Sequence, residues 1–113
     1  MQRLPKRLVD GSQLTASAAT YYTTPANTLT TVSACTLTNT TGGAITATLY
    51  LVPNGGSAGV ANCILSARTI AAGESFNVGS AIGQTLAAGG TLQGLAGSAT
   101  SITLVASGYE STT

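Results

Sequence analysis

The residues with the strongest claim to chemistry lie in a short glycine-rich stretch, residues 55–59, with the sequence Gly-Gly-Ser-Ala-Gly. This stretch matches G-x-S-x-G, the nucleophile elbow of serine hydrolases, in which a strand-to-helix turn presents the serine beside a histidine base. The chain contains no histidine, so the base that this chemistry requires is missing. The stretch also lacks the Gly-Lys-Ser/Thr ending of a phosphate-binding loop. We therefore predict a hairpin tip here, and no catalytic residue.

Metal ligands and paired carboxylates are equally sparse. The two cysteines, Cys35 and Cys63, are 28 positions apart and have no histidine to complete a zinc site. The three acids, Asp10, Glu74 and Glu110, are far apart in sequence, so only folding could bring a catalytic pair together. We predict no metal, no cofactor and no enzymatic activity. Cys35 and Cys63 could pair, but in a cytoplasmic product we favour two free thiols.

The charge distribution is unusual. Charged residues make up 6% of the 113-residue chain, against about 25% in a typical domain. Three of the four basic residues, Arg3, Lys6 and Arg7, lie in the first seven positions, and between residues 11 and 109 only Arg68 and Glu74 are charged. A nearly neutral surface favours self-association. We expect much of this surface to be covered by further copies or by a partner, the alternative being a Thr-rich soluble monomer.

The same composition argues against a membrane or a nucleic acid as the partner. No stretch approaches the ~20 apolar residues of a transmembrane helix, and Pro5 with the polar run from Gly11 leaves no apolar region for a signal peptide. We expect a chain that is cytoplasmic when made. Three basic residues without aromatic neighbours are a weak nucleic-acid signal. We favour a solvated or partner-docked segment and predict no nucleic acid and no membrane.

Residues 44–70 contain the clearest strand pattern, and we expect the other strands to pack around them. Ile45, Ala47, Leu49 and Leu51 alternate with polar residues, as in a half-buried β-strand. Turn residues follow, and residues 63–70 form a second apolar run, which predicts a central strand pair. Further strands are predicted at residues 14–24, 29–38, 75–78, 91–95 and 101–109, with a helical turn or a loop at 80–86. Seven or eight short strands indicate an all-β, single-domain antiparallel β-sandwich, either jelly-roll or immunoglobulin-like.

The N-terminal residues differ from this body in charge and in pattern. We predict that residues 1–13 form an extended arm outside the sandwich, and that residues 14–113 form the β-sandwich domain. The residues of the arm that we expect to contact a partner are Arg3, Leu4, Lys6, Arg7 and Leu8.

Several segments together resemble small β-sandwich proteins of tailed bacteriophages. The resemblance covers roughly residues 8 to 110 and consists mostly of turn chemistry and strand pattern. The segments that carry it are Tyr21–Asn27 (YYTTPAN), Leu37–Thr40 (LTNT), Leu49–Gly59 (LYLVPNGGSAG), Ala71–Glu74 (AAGE), Leu86–Gly89 (LAAG) and Ser107–Glu110 (SGYE).

This resemblance implies a virion structural protein, made in the bacterial cytoplasm and incorporated into the particle. The role it favours is a capsid decoration, or cement, protein that binds and stabilises the assembled head. Its expected partners are further copies of itself, as a homotrimer, and the major capsid protein or other virion proteins. The alternative is a neck or tail fibre module that recognises a host glycan.

Overall fold

The computed structural model describes the backbone of residues 2–112 and the side chains of residues 4–112. This part of the chain forms nine β-strands and two 3-10 turns, with no α-helix among the described residues. The strands are β1 (Gln2–Gln13), β2 (Ala19–Thr23), β3 (Thr28–Asn39), β4 (Ile45–Val52), β5 (Cys63–Ile70), β6 (Ser75–Asn77), β7 (Thr85–Leu86), β8 (Thr91–Ala96) and β9 (Ile102–Thr112); the 3-10 turns are Val60–Asn62 and Gly79–Ala81.

The strands form two sheets. Sheet A has the order β1-β9-β3-β6, with β7 also pairing with β3, and sheet B has the order β2-β8-β4-β5. Every pairing is antiparallel. The pairs are nested along the chain, because β1 pairs with β9, β2 with β8, β3 with β6 and β4 with β5. This nesting is the double Greek key of a jelly roll, so the predicted antiparallel sandwich is confirmed in its jelly-roll form.

The core lies between the two sheets. Alternate residues of β8 and of most of β9 are buried, as the two-residue period of a strand requires when one face is covered. The fully buried leucines include Leu14, Leu37, Leu49 and Leu104. This core fixes the sheet-to-sheet packing, and polar side chains such as threonine and serine dominate the outer faces.

One buried amide joins the turn between β3 and β4 to the end of β5. Asn39, at the end of β3, is fully buried. Its Nδ2 donates hydrogen bonds to the carbonyl oxygens of Gly43 (2.8 Å) and Ile70 (2.9 Å), and its Oδ1 accepts from the backbone N–H (2.9 Å) and hydroxyl (2.7 Å) of Thr41. Asn39 also begins an N-x-T glycosylation sequon, but its amide nitrogen is buried and fully engaged, so it is not presented for glycan attachment in this fold.

The prediction that residues 1–13 lie outside the sandwich is wrong for the described residues. Residues 2–13 form strand β1, which pairs with β9 along its whole length as the edge of sheet A. Two register shifts, between Arg7 and Val9 and between Val9 and Ser12, interrupt the alternation that would have revealed a strand. Pro5 lies within β1, where an edge strand tolerates it because its outer side needs no N–H donor.

The strand pair at residues 44–70 is also placed differently from the prediction. Its bounds are close to those expected, with β4 at Ile45–Val52 and β5 at Cys63–Ile70. However, β5 is the edge of sheet B and not a central strand, and Ser66 to Thr69 are exposed. Ala67 has a φ of +44° at a bulge in β5, where its N–H donates to the Thr48 hydroxyl (3.0 Å).

Candidate interaction surface

The predicted contact residues lie on β1 and separate into three groups. Leu4, Lys6 and Arg7 are exposed, whereas Leu8 is 7% exposed and belongs to the core. The register shift after Arg7 places both Leu8 and its neighbour Val9 in the interior. Leu8 is therefore an anchor of β1 and not a surface contact. The side chain of Arg3 lies outside the described residues.

Lys6 faces the side of sheet A that carries sheet B. Its Nζ lies 3.3 Å from Oε2 of Glu110 on β9, an ion pair in which Lys6 is 48% exposed and Glu110 14% exposed. At this exposure the pair contributes at most about 1 kcal/mol. Lys6 thus helps to hold β1 against β9, and its ammonium group, being paired with Glu110, is less available to a partner than an unpaired cation.

Glu110 is held independently of β1 by a tyrosine from the opposite sheet. Tyr22 of β2 donates its hydroxyl hydrogen to Oε2 of Glu110 (2.5 Å) and lies 2.8 Å from the Thr30 hydroxyl. Burial of the Tyr22 hydroxyl, together with its bond to the Glu110 carboxylate, raises the pKa of Tyr22 to about 12. These three side chains join β9 and β3 of sheet A to β2 of sheet B at one end of the sandwich.

The opposite, outer side of sheet A carries a patch that we call the outer patch, formed by Pro5, Arg7, Leu29 and Tyr109. The ladder pairs Pro5 with Tyr109 and Tyr109 with Thr31, two residues from Leu29 on β3. Leu29 is 44% exposed. A shallow cleft of about 330 Å³ lies here between Pro5, Arg7, Ser33 and Ser107. The outer patch thus combines a cation, an aromatic ring and two apolar side chains, a composition typical of the contact residues of interfaces.

The rest of the described surface carries little charge. Arg68 on β5 stacks on the Phe76 ring of β6, with its guanidinium carbon 4.4 Å from the ring centroid, a cation–π contact that links the two sheets. Glu74 accepts a hydrogen bond from the Ala71 N–H (2.8 Å) and closes its own turn. These two charges serve the fold, so the charge available to a partner is concentrated on β1.

The cysteines lie on different sheets, Cys35 on β3 and Cys63 on β5, and both are free thiols, as the sequence predicted. Burial raises the pKa of the Cys35 thiol to about 11. Cys63 is half-buried and lines two open clefts of about 350 and 450 Å³. Among the described residues no three metal-ligating side chains come together.

The G-x-S-x-G stretch lies in the connection between β4 and β5. Gly55 takes a φ of +82°, and the stretch leads into the 3-10 turn Val60–Asn62 instead of a helix. Asn62 folds this connection on itself by accepting from the Gly59 N–H (3.0 Å) and donating to the Ser57 carbonyl (2.9 Å). Ser57 is thus part of an exposed hairpin loop, as predicted, without the strand-to-helix turn of a nucleophile elbow.

In the described part of the chain there is no helix of the length and apolarity that crossing a bilayer demands. Neither the models of known protein families nor the curated protein sequences give any match. Solved structures give weak overlaps. Two are structures of infectious bursal disease virus, of the Gt strain (14% identity, TM-score 0.36) and of the Gx strain (19% identity, TM-score 0.36).

Each overlap includes 96% of this chain but only 30% and 38%, respectively, of the viral chains. This chain therefore spans about a third of the length of the proteins it overlaps. At this TM-score the overlap supports no argument about function.

Proposed function

We propose that this protein is a structural protein of a bacteriophage particle, and specifically a decoration protein that binds the assembled head and reinforces it. The observation that carries the proposal is the distribution of charge. A nearly neutral jelly roll presents its available positive charge on one edge strand, with the exposed Leu4 on the Lys6 side of sheet A and the exposed Leu29 on the Arg7 side. Such a surface fits a partner that is acidic and partly apolar, such as the outside of a protein shell.

The docking contact in this proposal is made by β1 and the outer patch. Arg7 lies on the outer side of sheet A and offers its charge directly, whereas Lys6 is shared with Glu110. Desolvated arginines and aromatic rings contribute most of the energy in typical interfaces. We therefore assign the main electrostatic contact to Arg7, with Tyr109 lining the same cleft and Leu29 further along the same side of sheet A.

The test compares two substitutions with the same change in charge. Arg7→Gln removes a cation from the outer patch, and Arg68→Gln removes one from sheet B. Binding of each purified variant to undecorated heads is measured by co-sedimentation at several salt concentrations. We expect Arg7→Gln to weaken binding about tenfold and to flatten its salt dependence, because exposed charge pairs are screened by salt, while Arg68→Gln binds like the original protein.

Equal binding of both variants to the heads would show that Arg7 on β1 does not make the docking contact. Failure of the original protein to bind any head would refute the decoration function itself. Densitometry of purified virions separates decoration from the fibre alternative, because a decoration protein is present in hundreds of copies and a neck or tail fibre in only a few.

A further inference from the structure

Strand β1 is attached to the molecule almost entirely through one neighbour. Its backbone pairs with β9 at residues 2–7, 9, 12 and 13, and with no other strand. From Leu4 to Arg7 the side chains are exposed, and only Leu8 and Val9 are buried before the strand reaches Gly11. The N-terminal part of β1 could therefore detach from β9 as a unit, because apart from the β1–β9 ladder only the buried Leu8 and Val9 hold it to the molecule.

A hinge lies just after that segment. Gly11 has a φ of +130°, a conformation that side-chain-bearing residues rarely adopt, and no heavy atom lies within 4 Å of where its Cβ would be. The ladder shifts register between Val9 and Ser12. Beyond the hinge the chain is fixed, because Leu14 is fully buried and its N–H donates to the Ile102 carbonyl (2.8 Å). Rotation at Gly11 would move residues 2–10 without disturbing the core from Leu14 onwards.

The surface that receives β1 is formed without it. Along its other edge, β9 pairs with β3 from Ile102 to Thr112. Glu110, the ion-pair partner of Lys6, is also held by Tyr22 from sheet B. A copy that had released its own β1 would keep this edge of β9, and the position of Glu110, ready for an identical strand.

Copies could also associate by adding a further strand to the outer edge of β1, but this arrangement is less favourable than exchange of β1. Pro5 has no N–H to donate to a neighbour, and Lys6 and Arg7 add charge, two devices by which proteins protect sheet edges. An exchanged β1 would instead restore every hydrogen bond of the β1–β9 ladder in the partner copy. Only the cost of association would remain, and that cost falls as the local concentration of the protein rises.

We propose that β1 is exchanged between copies of this chain, so that residues 2–10 of one copy pair with β9 of another. Nine extended residues reach roughly 30 Å from the hinge, which is enough to cross to an adjacent molecule. The proposal deepens the function proposed above, because exchanged strands would link decoration subunits to one another. It is tested on purified protein without particles, so its failure would leave the decoration function untouched.

The experiment uses chains that each carry one cysteine, in a background of Cys35→Ala and Cys63→Ser. Arg7 and Ser107 are paired across β1 and β9. One chain carries Arg7→Cys and the other, labelled with ¹⁵N, carries Ser107→Cys. The two chains are unfolded, refolded together at high concentration and oxidised, and mass spectrometry counts the disulfide-linked dimers that contain one labelled and one unlabelled chain.

The matched control uses Thr38→Cys and Ser75→Cys, a pair on β3 and β6, whose hydroxyls lie 3.0 Å apart but which belong to strands that are not expected to exchange. A chain carrying both Arg7→Cys and Ser107→Cys verifies that this pair forms a disulfide. We expect at least ten times more mixed dimer from the β1–β9 pair than from the β3–β6 pair. Equal yields, with the doubly substituted chain cross-linking normally, would overturn the proposal.

Discussion

A single buried side chain can stabilise several connections at once, and Asn39 is the clearest case in this protein. Its amide bonds the β3–β4 turn at Thr41 and Gly43 and also the last carbonyl of β5 at Ile70. Ile70 is buried whereas Gly43 is exposed and also accepts a hydrogen bond from the Thr41 hydroxyl (3.0 Å), so removal of the amide would cost most at the Ile70 carbonyl. Asn39 therefore connects both sheets at one end of the sandwich.

Replacement of Asn39 by alanine should lower the free energy of unfolding by about 3 kcal/mol, since the buried Ile70 carbonyl and the part-buried Thr41 N–H both lose their hydrogen bonds to the amide. Urea denaturation followed by circular dichroism gives this value. Asn62→Ala is the control, because Asn62 also makes two hydrogen bonds but lies in the exposed β4–β5 connection, and it should cost less than about 1 kcal/mol. Equal costs would show that burial of Asn39 does not decide its contribution.

Tyr22 makes the free energy of unfolding depend on pH in the alkaline range. Its pKa rises from 10.0 to about 12 in the folded protein, so the unfolded chain releases this proton first. The stabilising contribution is complete below pH 10 and is lost as the pH rises towards 12, with a total on the order of 2 kcal/mol. Chemical denaturation at pH 9, 10 and 11 should show a steeper decline for the original protein than for Tyr22→Phe. Parallel declines would contradict this role of Tyr22.

At the scale of elements, the contact between β3 and β9 depends on one glycine. A Cβ at Gly108 would overlap the carbonyl oxygen of Thr31 and crowd the Cα of Val32. A register shift between Val32 and Ala34 lies at the same place. The absent side chain therefore allows the two central strands of sheet A to approach where the bulge bends β3.

Gly108→Ala should consequently lower the free energy of unfolding by about 2 kcal/mol or more, because relief of the overlap requires a shift of the β3 backbone. The melting temperature measures this effect. Gly42→Ala serves as the control, since a Cβ there meets no atom within 4 Å, and its melting temperature should stay near that of the original protein. A normal melting temperature for Gly108→Ala would mean that β3 adjusts without cost.

For the whole molecule, β1 is both a structural strand and the bearer of the available charge. Deletion of residues 1–10 would remove Leu8 and Val9 from the core and leave β9 as an unprotected edge. We expect a loss of about 4 kcal/mol from those two side chains and aggregation through the open edge, measured by denaturation and light scattering. Arg7→Gln should fold normally, so it tests binding where the deletion cannot. A stable, monomeric deletion variant would show that β1 is dispensable for folding.

Much of the fold was predictable where one face of a strand is covered. The bounds of β5 were predicted to the residue, and those of β4 and β8 to within one residue, because the apolar run of β5, the alternation in β4 and β8, and the turns between the strands are local features. The strand nature of β1 was not predictable, because Pro5 and two register shifts remove the alternation. The cluster of Lys6, Glu110 and Tyr22 could not be predicted either, since its members are up to 104 positions apart.

The sequence by itself determined that this is an all-β chain with a neutral surface and with most of its positive charge in the first seven residues. These properties follow from composition and from the two-residue period, which are local. Only the tertiary structure decided which strands are neighbours, that Leu8 faces the core, and that Arg7 and Lys6 lie on opposite sides of sheet A. Those outcomes depend on the pairing of β1 with β9 across nearly the whole chain, and hydrogen bonds between such distant residues have no signature in either segment alone.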